Sequence, residues 1–552
     1  MYIPSHDEIK KLLDGFKGQF SMDKKSLIPI LQDVQRQYGY IPEYAMQEIG
    51  IMLGISSAEV YEVATFYSFL EVEPKGKYHV ALSIDMPSKM AGVDDVAERL
   101  EKELGIKMGE TTYDRMFSLE WTGCVGISDM SPAMIINEKI FPFVTPDKAS
   151  EIVRKLRAGE EVETDLPKTK TNDLSFDTVA EDAGLKKALD MSPGDVRSLV
   201  KESGLRGHGG AGFPTGLKWD FCSQAEGDTK YVVCNADEGE PGCFKDMLIF
   251  DRFADKVLEG MTIAGYAVGA KEGILYIRWE YAFLKDRLEK LLEQKRSNNM
   301  LGKNICGKDF EFDIRIYFGA GAYVCGEETA LIESIEGNRG EPRNKPPFPV
   351  TDGLFGKPTN VNNVETFAWV PCIFDKGADW YSSAGVGKSK GYKLFSISGD
   401  CNKPGVYELA WGMTLNDIVK MVGAENPKAI QIGGYSGQLV PASQFGRVLS
   451  FEDLATGGSV IIYGQQRDLY DIAENYLEFF LEESCGQCTP CRWGNKALLD
   501  HVEKMREGKA TDKEERDIRT LCETMVLTSK CGLGQTSPNV VKNLLNDFAD
   551  QL

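Results

Sequence analysis

Two stretches of this sequence carry residue types able to hold something other than water. Near the C-terminus, Cys485-Gly-Gln-Cys488-Thr-Pro-Cys491 puts three thiols into seven residues, close enough for all of them to face one metal centre. A fourth ligand has to come from elsewhere, and two cysteines further along compete for the place. Cys522 falls on the apolar stripe Ile518, Leu521, Cys522, Met525, which reads as helix core. Cys531 lies in the motif SKCGLGQ, where a glycine turn frees backbone N–H groups for sulfur, and it is the better candidate. Zinc also takes thiol sets. The compact Cys-x2-Cys-x2-Cys run is instead the spacing of iron–sulfur ligation, and a [4Fe–4S] centre is expected.

The second stretch is GLRGHGGAGFPTGLKW, residues 204–219, with six glycines in sixteen positions. So little side chain lets the backbone press against a ligand. Gly207-x-Gly209-x-x-Gly212 matches the dinucleotide pattern, but it follows a helical segment (Val196, Leu199, Val200) instead of a strand. The apolar strand comes afterwards, at Tyr231–Cys234, and leads into Asn235-Ala-Asp237-Glu238-Gly-Glu240 at the end where α/β sheets hold ligands. Arg206 and Lys218 flank the loop, which suits an anion cradled by N–H groups. A phosphate-bearing cofactor is expected. His208, inside the loop, reads as a solvated residue, and Cys325 has no His neighbour in sequence that would make it a nucleophile.

The elements that must position these residues fill 552 positions, enough for about three to four domains. With 63 Lys+Arg against 84 Asp+Glu the net charge is −21, which excludes nucleic acid and anionic membrane as natural partners. No apolar run approaches a spanning helix, and the N-terminus lacks a signal-peptide core. Thirteen cysteines in such a chain point to metal binding or burial, not a disulfide framework, and to the cytoplasm. Residues 1–75 read as short helices, with Leu27, Ile28, Ile30, Leu31 and Val34 on one face, Ile49, Met52 and Leu53 on another, and Ser56 to Glu59 as a capping box for a helix through Tyr67. From 76 to 157 the order βαββα suggests a small thioredoxin-like unit. Residues 158–177 are a polar linker. Residues 391–465 alternate short strands and turns around a helix at Leu415–Val422, and 466–552 are helical, with Leu469, Ile472, Tyr476 and Phe480 on one stripe.

The motifs YGYIPEYAMQEI, VATFYSF, LGIKMGETTYD and INEKIFPFVTPDKASEI resemble the 24-kDa-type subunit of respiratory NADH dehydrogenase, whose four cysteines bind a [2Fe–2S] cluster. Matching those cysteine pairs onto this chain gives Ser83, Ser88, Cys124 and Ser128. Serine is a poor substitute for thiolate toward iron, so this domain is expected to carry no cluster, and Cys124 to be a small buried apolar residue.

A stronger resemblance runs from about residue 176 to the C-terminus. The motifs GLRGHGGAGFPTGLKW, CNADEGEPGCFKD, GAGAYVCGEETALIESIEGNRGEPRNKPPFP, PTNVNNVET, SCGQCTPCRWG and SKCGLGQ are similar, in order, to the 51-kDa-type flavoprotein subunit of the same enzyme. The fusion of both parts resembles flavoprotein subunits of soluble NAD-linked hydrogenases and formate dehydrogenases. The resemblance places FMN on Gly207, Lys218, Asn235, Asp237, Tyr323, Gly326, Glu327, Asn362 and Asn363. It places NADH on Phe213, Phe221, Glu240, Glu328, Lys345 and Phe348, and the [4Fe–4S] cluster on Cys485, Cys488, Cys491 and Cys531. Carboxylates near a ribose repel a 2′-phosphate, so NAD(H) is expected over NADP(H).

The expected architecture is multidomain α/β. It comprises a helical bundle (1–75), a thioredoxin-like domain without cluster (76–157), a linker (158–177) and an α/β FMN/NADH-binding domain (178–390). A β-grasp, ubiquitin-like domain (391–465), read as spacer and interface, and a C-terminal helical bundle holding the iron–sulfur cluster (466–552) complete it. The implied activity is NADH:acceptor oxidoreduction, with hydride passing directly between nicotinamide and FMN and no catalytic acid or nucleophile. Implied partners are iron–sulfur subunits of a larger complex, with a separate 24-kDa-type [2Fe–2S] subunit also compatible, and no direct membrane insertion. An electron-bifurcating subunit shares the same motifs, and a non-catalytic scaffold is the reading from another class.

Overall fold

The computed structural model describes residues 4–164 and 166–551. Met1 to Ile3, Asp165 and Leu552, which fall in the expected bundle, linker and cluster domain, lie outside the described residues. The chain forms two compact units. The first is Met1–Pro167 with Ile277–Phe283 and Tyr317–Arg343; the second is Lys168–Tyr276, Leu284–Ile316 and Asn344–Leu552. Among the described residues no helix is long and apolar enough to cross a membrane.

The first unit opens with the helices His6–Phe16, Leu27–Tyr38, Glu43–Leu53 and Ser57–Ala64. The face Leu27, Ile28, Ile30, Leu31, Val34 is fully buried, as its spacing requires. Both reciprocal bonds of the Ser56–Glu59 capping box form. That helix stops at Ala64 instead of reaching Tyr67, whose hydroxyl donates to the Asn338 carbonyl (2.8 Å). Next comes a four-stranded sheet in the order Phe117–Thr122, Tyr78–Ser83, Met134–Ile136, Lys139–Phe141. Its first pair is parallel and the rest antiparallel. The expected single strand at Ala133–Asn137 is a hairpin of two short strands, since Asn137 adopts a positive φ of 56° and turns the chain back. Helices Val93–Leu104 and Pro146–Arg157 close the core through Val96, Leu100, Ile152 and Val153.

In the second unit, helix Pro193–Glu202, the glycine-rich loop and helix Thr215–Gln224 precede the strand Tyr231–Ala236, the order the sequence implies. That strand is central in the sheet Asp313–Phe318, Glu272–Ile277, Tyr231–Ala236, Thr359–Asn363, and pairs in parallel with the last strand. Beneath it the 24-residue helix Lys245–Val268 packs on Val364–Lys376. The approach is too close for any side chain at Gly260, where a Cβ would come within 2.1 Å of the Phe367 carbonyl oxygen. A five-stranded sheet follows in the order Gly405–Ala410, Tyr392–Gly399, Ser459–Tyr463, Ala429–Ile432, Gln438–Pro441, with helix Leu415–Val422 against it. The helices Leu469–Glu482, Thr489–Arg506, Asp512–Thr528, Gly532–Thr536 and Asn539–Asp547 end the chain, and the stripe Leu469, Ile472, Tyr476, Phe480 is buried.

Candidate functional site

The C-terminal cysteines converge. Cys488 is the N-cap of helix Thr489–Arg506, and Cys491 lies in its first turn, where the positive end of an 18-residue helix favours thiolates. Cys531 caps the short helix Gly532–Thr536, and its turn reaches Cys491: a Cβ on Gly534 would come within 2.8 Å of the Cys491 Cβ. Lys530 Nζ donates to Gln487 Oε1 (2.5 Å), fastening the two loops together. Burial pushes the Cys491 thiol up to about 11; Ser484 offsets this, while Cys488, Cys531 and Cys485 add to it. Asn495 Nδ2 donates toward Cys491 Sγ at 3.5 Å. Cys491 thus has three other thiols for neighbours, and this donor set fits an iron–sulfur cluster. Cys522 is buried in the helical core, and the charges nearest its thiol are Lys542, Arg519 and Glu523, with no other cysteine among them.

The matching positions of the first unit are built differently. Ser83, Ser88, Cys124 and Ser128 are all buried, but around a carboxylate. Ser128 Oγ donates to Asp85 Oδ2 (3.0 Å), and the Ser88 N–H donates to Asp85 Oδ1 (3.0 Å). Ser88 Oγ donates to Ser131 Oγ (3.3 Å), Ser83 Oγ donates to the Gly123 carbonyl (3.2 Å), and Cys124 Sγ lies 3.3 Å from Ser128 Oγ. Burial and then Asp85 push the Cys124 thiol far above its ordinary range. These residues do not fit a [2Fe–2S] cluster, because the buried anion opposes thiolate formation and the hydroxyls are spent on one another. Asp85, the centre of this lattice, was invisible to sequence reasoning.

In the second unit the glycine loop closes on itself. The Gly207 N–H donates to the Phe213 carbonyl and the Thr215 N–H to the Leu205 carbonyl, both at 2.9 Å. Arg206 donates to the Gly212 carbonyl and stacks 4.8 Å from the Phe451 ring centroid, so its charge serves the loop itself. A Cβ on Gly210 would meet nothing within 4 Å, and one on Gly207 nothing closer than 3.7 Å. This open backbone face is the cradle a phosphate needs. Lys218 Nζ donates to the Val361 carbonyl (3.0 Å). Asn235 and Asn363 face each other at the ends of paired strands, with Asn362 beside them opposite Cys234. Two donors, Trp219 Nε1 and Asn360 Nδ2 (3.0 Å each), fix the Asn362 side-chain oxygen. The Asp237 N–H donates to Asn235 Oδ1 (3.1 Å). This crevice at the carboxyl ends of neighbouring strands suits hydroxyls and a polar ring edge.

Phe213, Phe221 and Phe348 are exposed at 43%, 46% and 52%, leaving aromatic faces free to stack on a base. Lys345 is exposed beside Phe348 in sequence. Glu240 is tied instead to the five-stranded domain: its Oε1 accepts from the Ser436 N–H (3.1 Å) and its Oε2 from Ser436 Oγ (2.7 Å). The remaining candidates belong to the first unit. Tyr323 and Gly326 bound a 3-10 turn, and Glu328 is the first residue of helix Glu328–Ile335. Glu327 caps that helix by accepting from the N–H groups of Thr329 (2.9 Å) and Ala330 (3.0 Å).

One expectation fails. His208 is not solvated but 1% exposed, its N–H donating to Thr366 Oγ1 (2.9 Å). Burial drives its pKa down to about 3, so the ring is neutral. Another trio of metal-ligating types, Glu71, His79 and Glu120, lines the first unit's cavity of about 670 Å³ or adjoins it. The Lys75 ammonium already pairs with both carboxylates, and His79 bonds Glu120 (2.8 Å), so the trio is a closed ion-pair lattice.

Known proteins resemble the chain in three regions. The model of the Nuo51 FMN-binding domain matches residues 200–372, and that of the thioredoxin-like [2Fe–2S] ferredoxin matches 10–157. The NADH-ubiquinone oxidoreductase-F iron–sulfur binding region matches 471–552. The chain is 45% identical to the NAD-reducing hydrogenase HoxS subunit alpha of Cupriavidus necator, over 96% of this chain and 92% of that one. It is 43% identical to the NADP-reducing hydrogenase subunit HndC of Solidesulfovibrio fructosivorans (67% of this chain, 77% of that one). An NADH-quinone oxidoreductase subunit of Aquifex aeolicus is 42% identical (68% and 90%). A crystal structure of an NAD⁺-reducing [NiFe]-hydrogenase in the H2-reduced state superposes with a TM-score of 0.88, at 34% identity over 96% of this chain and 92% of that one.

Proposed function

The chain belongs to the family of FMN-binding flavoprotein subunits of NAD-reducing hydrogenases and NADH–quinone oxidoreductases, and on that premise we propose that it is the NAD(H)-linked diaphorase subunit of a soluble hydrogenase. The observation that carries the reading is the convergence of Cys485, Cys488, Cys491 and Cys531 in the same unit as the glycine cradle. A scaffold that had lost its chemistry would have no reason to keep four cysteines together in two glycine-containing turns. The relative named a NAD-reducing hydrogenase subunit aligns with 96% of the chain, whereas the NADH–quinone relative aligns with 68%. The full-length match to that subunit and the superposition on an NAD⁺-reducing [NiFe]-hydrogenase favour hydrogen as the far end of the electron path.

FMN, when bound, supplies the exchange between hydride and single electrons, and a [4Fe–4S] cluster supplies the single-electron relay to partner subunits. The chain's own part is to bind and orient. The Gly207–Gly210 backbone and Lys218 hold a phosphate, while Asn235, Asp237 and Asn362 offer donors and acceptors to hydroxyls and a polar ring edge. Phe213, Phe221 and Phe348 stack on the dinucleotide, and Glu240, kept rigid by Ser436, accepts a ribose hydroxyl and disfavours a 2′-phosphate. No side chain needs to move a proton for hydride transfer itself. The domain with Ser83, Ser88 and Ser128 carries no cluster. The cysteines of the described residues are all free thiols, which fits a reducing cytoplasm. Residues 391–465 are read as a β-grasp domain that also braces Glu240 through Ser436. Anaerobic addition of NADH to the purified chain tests the reading: the flavin band bleaches within seconds. A bound flavin that stays oxidised under excess NADH would sink it.

A further inference from the structure

The glycine-rich loop of the second unit rests on a set of buried ionisable groups that no motif predicts. Lys393 and Glu365 are each 0% exposed, and Lys245 and Asp246 are nearly so. Any one of these charges buried alone would cost several kcal/mol. Glu365 is the meeting point. Its Oε2 accepts from Lys393 Nζ at 2.9 Å and lies 3.3 Å from Lys245 Nζ. Its Oε1 accepts from the Leu394 N–H at 2.7 Å and from Trp369 Nε1 at 3.4 Å, with His208 Nδ1 also 3.4 Å away. Lys393 Nζ reaches on to the carbonyl oxygen of His208, within the loop, at 3.1 Å. Lys245 Nζ also donates to Asp246 Oδ1 (2.6 Å) and Asn363 Oδ1 (3.2 Å).

Asn363 is thereby saturated. Its oxygen accepts from Lys245 Nζ and from the Glu365 N–H (3.0 Å), and its nitrogen donates to Asp246 Oδ2 (2.7 Å) and the Asn235 carbonyl (3.5 Å). An amide offers two lone pairs and two N–H bonds, so these partners fix which way the side chain faces. Its stem packs against the loop, since a Cβ on Gly209 would stand 3.3 Å from the Asn363 Cβ. Glycines cannot set their own conformation, and the loop needs fixed donors and walls from outside. Burial would raise the Glu365 carboxyl, but Lys393 and its neighbours hold it at about 2, so it stays ionised. The Asp246 and Glu365 carboxylates likewise overcome burial to keep Lys245 charged.

We propose that Lys245, Glu365 and Lys393 form a charge clamp that positions the flavin cradle, and that the same clamp fixes the orientation of the Asn363 side chain. The proposal rests on the FMN reading above. Lys393 comes from the five-stranded domain, so that domain helps to set the loop and is more than a spacer. Because the clamp carries opposite charges, its members act on a bound flavin with opposite sign. Reduction adds negative charge to the flavin, so Lys393→Met lowers the flavin midpoint potential and Glu365→Gln raises it.

The test uses the full chain stripped of FMN and reloaded, comparing wild type, both single variants and the Lys393→Met/Glu365→Met pair. Each single variant weakens FMN binding at least tenfold. The pair, having no unpaired buried charge, regains the thermal midpoint of the apo-protein, as buried ion pairs replaced by apolar residues commonly do. It still binds FMN less tightly than wild type, because the His208 carbonyl has lost its donor. Failure of the wild-type chain to bind FMN would defeat the functional reading itself. Tight wild-type binding, with a pair that matches it or single variants that move the potential in one common direction, would instead overturn the clamp.

Discussion

The two places where the chain groups ligand-type residues differ in what fills the middle. Around Cys491 the neighbours are other thiols, an amide and a hydroxyl, all able to donate to sulfur, and one helix N-terminus faces the sulfurs. Around Cys124 the sulfur meets the Ser128 hydroxyl (3.3 Å), which itself donates to Asp85, an acceptor-only carboxylate whose two oxygens order Ser88 and Ser128. The first arrangement waits for a cation cluster and is unfavourable without it. The second is already satisfied by hydrogen bonds. Whether a set of ligand positions suits a metal is thus read from the neighbours of those positions as much as from the ligands.

The largest effect separates the two sites outright. Cys488→Ala removes one of the four thiols and abolishes the [4Fe–4S] spectrum, and electron delivery to the partner subunits falls by at least about 100-fold, since single electrons lose their relay. NADH still bleaches the flavin, because the cradle is built from other residues. Stopped-flow bleaching and partner reduction on one preparation give both numbers. Unchanged partner reduction with the cluster gone would make that centre structural.

Acid probes how each unit keeps a buried imidazole neutral. His79 in the first unit is lowered from 6.5 to about 4, by burial and then by Lys75, and His208 in the second to about 3 by burial. Unfolding lets both rings take up a proton that the folded state refuses. The stability contribution is therefore whole above pH 6.5 and is lost as pH falls toward 4 and below. For His79 the drop is worth about 3 kcal/mol. Denaturant midpoints followed from pH 7 to 4 decline, and His79→Gln removes part of the slope. A flat profile would contradict the lowering of both rings.

Asp85→Asn tests the lattice more gently. It leaves the volume but removes the charge and turns one acceptor oxygen into a donor, so the Ser88 N–H keeps its acceptor while the bond to Ser128 Oγ must reverse, for a loss of about 1 kcal/mol. The partner-reduction rate is untouched. Denaturant unfolding of the variant reads the loss, and a stable variant would mean that Asp85 orders nothing.

Much of this was legible in the chain because the chemistry restricts it. Cys485, Cys488 and Cys491 at that spacing restrict the reading to a metal or cluster, and the match to an iron–sulfur binding region agrees with the cluster. The apolar stripes gave the helices, since burial demands them. What stayed hidden depends on distant partners. His208 sits in a polar, glycine-rich loop and reads as solvated, yet it is enclosed by Glu365 and Lys393, more than 150 positions away. Lys393 opens a strand that alternation would turn outward, but every residue from Lys393 to Ser398 is buried, because this strand is central and covered on both faces. Asp85 before Met86-Pro87 reads as an ordinary helix cap, which it is, while its second oxygen does the hidden ordering.

The most direct measurement is iron per chain together with EPR of the reduced protein, on the full chain purified without air. The account predicts about one FMN and about four irons, with the signal of a [4Fe–4S] centre alone. About six irons, with a [2Fe–2S] signal that persists in Cys488→Ala, would place a cluster among Ser83, Ser88, Cys124 and Ser128 and contradict it.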